Sequence, residues 1–93
     1  MNNNEQNNSS KLAQWRNILD GLRDFTGMSF KEVAEYADLA YNDEDGAAFY
    51  LKLPRKRSTY IGIGMAYGQP LEVINEWITY FAGKRRLYIK DIS

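Results

Sequence analysis

Ninety-three residues, 44% hydrophobic and 14% aromatic, supply one core and not two, so a single domain is expected. Cys and His are both absent, which excludes disulfides, most zinc sites and the Ser-His-Asp and Cys-His nucleophile arrangements; no enzyme activity, cofactor or metal is expected. Twelve basic residues balance twelve acidic ones, the apolar stretches are short and broken by charge, and no signal-peptide-like run opens the chain, so it reads as cytoplasmic with no membrane partner.

The opening segment, Met1 to Ser10, has no large apolar side chain after the Met and cannot offset its ordering entropy by burial. Residues 1–10 therefore read as a disordered tail and 11–93 as one helical domain. From Lys11, the residues Leu12, Trp15, Leu19, Leu22 and Phe25 recur at steps of three and four, predicting a helix capped by Ser9 or Ser10 and stopped at Gly27. Ser29-Phe-Lys-Glu32 is a capping box, with Met28 and Val33 at the positions of a hydrophobic staple, so a second helix starts at Phe30 and runs to about Leu39.

The acidic segment Ala40 to Gly46 has turn chemistry, and Asn42 or Asp43 is placed to cap a third helix over residues 47–53 before Pro54 ends it. Pro54-Arg-Lys-Arg57 is a basic loop. Ser58 is read as the cap of a fourth helix that reaches Gly68, and Pro70 opens a fifth in which Leu71, Ile74, Ile78 and Phe81 form the stripe and Gly83 the stop. The end, Lys84 to Lys90, is expected to be extended or one short strand. Gly62 and Gly64 lie inside an apolar helical pattern and are assigned to close helix packing, not to a phosphate loop. Trp15 and Phe81 belong to the core; Trp77 and Tyr80 fall partly off their stripe and are read as core or core-edge residues, with an exposed patch that meets a partner as the alternative.

Charge is segregated although it sums to zero. Residues 1–46 carry nine acids and four bases, residues 47–93 three acids and eight bases, giving −5 and +5. Asp43, Glu44 and Asp45 are read as solvated capping groups. The basic cluster of Lys52, Arg55, Lys56 and Arg57 borders a helix start, where the Thr59 and Tyr60 amides would join Ser58 in holding a phosphate. The second cluster, Lys84-Arg85-Arg86 with Lys90, is read as simply solvated.

Taken together, Ser29-Phe-Lys-Glu-Val-Ala-Glu-Tyr-Ala-Asp-Leu39, Leu53-Pro-Arg-Lys-Arg-Ser58 and the run from Tyr60 to Ile74 resemble the phage-repressor (XRE/Cro-type) helix-turn-helix domains. That resemblance covers residues 12 to 82 and implies an all-α, lambda-repressor-like bundle of about five short helices. It also implies sequence-specific binding of double-stranded DNA by the module of a transcriptional regulator. Lys31, Arg55, Lys56 and Arg57 would then contact phosphates, with Ser58 beside them, and Asn42, Tyr50 and Lys52 would face the bases. Two departures accompany it: Asp38 stands where the family's turn has Gly, and the segment from Ala40 to Gly46 is longer than that turn. The second departure motivates an alternative, a protein-interaction or dimerisation module that keeps the fold without binding DNA.

Overall fold

In the computed structural model, residues 3–42 and 46–88 are described, with side chains from Ser10 onward. Among them the chain is all-α apart from one small hairpin: α1 (Asn3–Thr26), α2 (Phe30–Ala37), β1 (Tyr41–Asn42), β2 (Gly46–Ala47), α3 (Ala48–Leu51), α4 (Arg57–Ala66) and α5 (Leu71–Tyr80). No helix among them is long and apolar enough to cross a membrane. The capping roles expected of Asp43, Glu44 and Asp45, and the chain from Ile89 through Lys90, lie outside the described residues.

The helical backbone of α1 begins at Asn3, upstream of the Lys11 start read from the apolar stripe. Extending a helix already nucleated over the Trp15 stripe costs no second nucleation, and composition speaks to burial more than to backbone continuation. Trp15 and Leu19 are fully buried, but Phe25 is 92% exposed. At 3.6 residues per turn, Phe25 points roughly 100° away from the mean direction of Leu12, Trp15, Leu19 and Leu22.

The second helix agrees closely with its sequence signals. Ser29 Oγ accepts from the Glu32 amide and Glu32 Oε1 accepts from the Ser29 amide, both at 3.1 Å, completing the capping box. At its other end Asp38 takes φ 56° and ψ 49°, the left-handed conformation, and the Leu39 amide donates back to Ala34 O at 2.8 Å. Asp is one of the few non-glycine residues that visits this region readily.

Between α2 and α3 the chain departs from the expected turn and long helix. Tyr41 pairs with Ala47 and Asn42 with Gly46 in an antiparallel hairpin, so Ala47 is extended and α3 shrinks to four residues. Lys52 is already extended at φ −133°, ahead of Pro54 and of the extended bias that a proline imposes on its predecessor. A helix this short leaves its last carbonyls without intrahelical partners. α1 supplies them: Trp15 Nε1 donates to Phe49 O at 2.8 Å, Arg16 Nε to Tyr50 O at 2.8 Å, and Arg16 Nη2 to Leu51 O at 3.0 Å.

Helices α4 and α5 close the bundle. A methyl group at Gly62 would lie 2.8 Å from Ala37 Cβ, and one at Gly64 would clash with the Ile74 side chain, so both glycines permit close approach to α2 and α5. Gly68, at φ 68°, ends α4 with its amide on Met65 O and the Gln69 amide on Gly64 O, the paired bonds of a Schellman motif. The same gap at Gly64 lets Trp77 join the core at 4% exposure, in line with its core or core-edge reading, since its ring passes over the missing side chain. Tyr80 remains 48% exposed as expected.

Trp15 sits at the centre, edge-on to Tyr60 and to Trp77 at 5.1 Å each and 5.3 Å from Phe81. One side chain thus joins α1, α3, α4 and the end of α5. After α5, residues 84–88 are irregular rather than a strand. Asn75, 4% exposed, accepts from the Leu87 amide at 2.6 Å and donates to Leu87 O at 3.0 Å. Its side-chain amide takes the place of one sheet rung for Leu87, so this basic segment needs no partner strand there.

Candidate nucleic-acid interface

The basic loop between α3 and α4 is held at three points. Arg16 fixes the carbonyls of Tyr50 and Leu51 on its near side. Within the loop, the buried Tyr60 hydroxyl donates to Pro54 O at 2.6 Å, and burial pushes its pKa far above the usual tyrosine value. On its far side the Arg57 guanidinium reaches Arg85 O at 3.5 Å, at the outer limit of a hydrogen bond. This last contact ties the loop to the segment after α5.

The consequence is a convergence of two basic segments far apart in sequence. Lys52, Arg55 and Lys84 line one groove, whose apolar floor includes Leu12, Leu51 and Phe81. Lys52, Arg55, Lys56 and Lys84 are exposed and form no ion pair among the described residues; the pairs present there join Arg23 to Asp20 at 3.5 Å and to Asp24 at 3.4 Å. Lys84, read in the sequence as one of a solvated basic cluster, is exposed, but its place beside Lys52 and Arg55 depends on how the chain returns from α5 to the α3–α4 loop and has no local signal. Arg86 goes elsewhere, lining a depression with Glu72, Asn75 and Glu76.

The other expected contacts divide. Lys31 is exposed on α2 but lines a separate depression with Glu35, Asp38 and Tyr41. Asn42 is exposed in β1, ahead of α3 rather than on it. Tyr50, expected to face the bases, is instead turned into the protein. Its ring lies 4.8 Å from Phe30 and 5.2 Å beneath the Arg16 guanidinium, and its hydroxyl donates to Asp20 Oδ2 at 3.3 Å. Partial burial, and after it that carboxylate, raises its pKa.

Ser58 is corrected as well. The fourth helix starts at Arg57 with Lys56 at its N-cap and no side-chain cap bond, so Ser58 lies within the first turn. The Thr59 amide is occupied by Lys56 O at 3.2 Å, which takes it out of the expected phosphate clamp. With Pro54 drawn against Tyr60, the turn closes two residues sooner than the Ser58 signal indicates.

Ala48, Phe49, Tyr50 and Leu51 make up α3. A helix of this composition, with its one hydroxyl bonded to Asp20, offers base edges no unengaged hydrogen-bonding side chain. What the arrangement offers is a rigid cationic surface beside an apolar groove. Compared with known proteins, the chain matches no family model, no curated protein and no solved structure.

Proposed function

We propose that this domain binds double-stranded DNA through the phosphate backbone, as the DNA-contacting module of a regulator with the helix order of the phage-repressor type. The observation that carries the reading is the convergence of Lys52, Arg55 and Lys84 on one groove, with Lys56 in the adjoining loop and Arg57 at the first position of α4. Phosphate contact favours cations without an acidic partner, and the bonds from Arg16 and Tyr60 hold in place the loop that bears Lys52, Arg55 and Lys56. A net charge of zero is compatible with this because the positive half of the chain supplies the surface.

Sequence discrimination is expected to be shallow, since α3 presents no unengaged polar side chain to read a base. The test is a salt titration of duplex binding. Affinity should fall steeply with salt, Arg55→Ala should flatten the log–log slope by about one unit, and a scrambled duplex should bind nearly as well. No detectable duplex binding at low salt ends the reading.

A further inference from the structure

The groove joining the two basic segments holds more than phosphate contact uses. It has a volume of about 570 Å³, and its lining among the described residues contains three cations and no acid. Phosphates gain nothing from an exposed leucine, yet Leu51 keeps 41% of its surface open beside Lys52. The groove is also partly open to solvent, whereas sites for small ligands bury roughly 70–90% of their occupant. An extended segment of chain suits such a trough better than a small molecule.

We propose that the groove docks an acidic peptide segment of a partner protein, with a large apolar side chain against Leu51 and Phe81 and flanking carboxylates on Lys52, Arg55 and Lys84. Charge complementarity sets the sign of the occupant, and the floor sets the rest. A purely acidic chain leaves Leu51 in water; a purely apolar one leaves three cations without counter-charge. The walls come from α1, the α3–α4 loop and the segment after α5, all held by the bonds from Arg16, Tyr60 and Asn75, so little ordering cost falls on this side of the complex. Peptide docking does not depend on duplex binding, but both use Arg55 and Lys84, so peptide and duplex compete for the domain.

The experiment titrates the full chain at low salt against a fluorescein-labelled peptide of repeated Asp-Leu-Glu triplets, monitored by anisotropy, beside the same peptide with Ser for every Leu. The leucine peptide should bind about ten-fold more tightly, and Leu51→Ser should remove most of that difference. Lys84→Glu, at an exposed position outside any helix, should weaken the same complex without disturbing the fold. Equal binding of both peptides, no binding of either, or full binding by Lys84→Glu overturns the proposal. An effect of Leu51→Ser confined to self-association of the chain overturns it too, making the groove a contact between copies. Duplex binding without peptide binding removes this proposal alone, and peptide binding without duplex binding removes the DNA reading alone.

Discussion

Trp15 and Asn75 each fix an element that cannot satisfy itself. Trp15→Phe keeps an aromatic ring in the core but strips the donor from Phe49 O, leaving a buried carbonyl at the end of a one-turn helix. Unfolding by denaturant should show a loss of about 2–3 kcal/mol, from the orphaned acceptor and the smaller ring together. Asn75→Ala removes both bonds to Leu87. A loss of similar size is expected, with faster amide exchange at Leu87 than at Ile78 as the local signature. Tyr67 supplies a pH dependence. Its hydroxyl donates to Met28 O at 3.2 Å, and burial pushes its pKa from 10.0 up to about 12. The folded state therefore holds its proton longer than the unfolded chain. That stabilisation is fully present below pH 10.0 and is lost as pH rises towards 12, so base-induced unfolding should begin in this window and Tyr67→Phe should shallow its slope. A stability profile flat from pH 10 to 12 would contradict the assignment.

Elements with strong local chemistry were legible, and those that depend on other elements were not. The start of α2 could be read from Ser29 and Glu32 because a capping box is complete within four residues of sequence, and the stop at Gly68 because a positive φ there favours glycine. Ser29→Ala should accordingly cost about 1 kcal/mol in thermal or denaturant unfolding. Asp38→Gly should do the reverse, stabilising by a few tenths of a kcal/mol up to about 1, since Asp holds the left-handed conformation at some cost. If Asp38→Gly destabilises, the carboxylate itself supports the turn. The β1–β2 hairpin and the shortness of α3 had no such signature: two-residue strands carry no alternation to read, and α3 survives on donors from α1. Ser58 misled for a related reason. A hydroxyl before an apolar run is a cap signal only if the chain enters the helix there, and the bond from Tyr60 to Pro54 moves the entry.

At the scale of the molecule, a radius of gyration of 13.2 Å matches the ~13 Å of a single packed domain of about this length. The division of charge along the chain was plain in the sequence, but its meaning was not. Within the second basic cluster, Lys84 turns towards the α3–α4 loop and Arg86 towards the acids of α5. Only tertiary structure separates two residues that sit two positions apart. Of the two aromatic residues that fall partly off the α5 stripe, Trp77 is buried because Gly64 opens room for its ring, while Tyr80 stays half exposed. The most direct test is therefore the salt dependence of duplex binding measured on Lys84→Ala and Arg86→Ala in parallel. Lys84→Ala should flatten the log–log slope by about one unit, as Arg55→Ala does, while Arg86→Ala leaves the slope unchanged. Equal slopes for the two variants, or a change in Arg86→Ala alone, would contradict a basic surface built by the convergence of Lys84 on the α3–α4 loop.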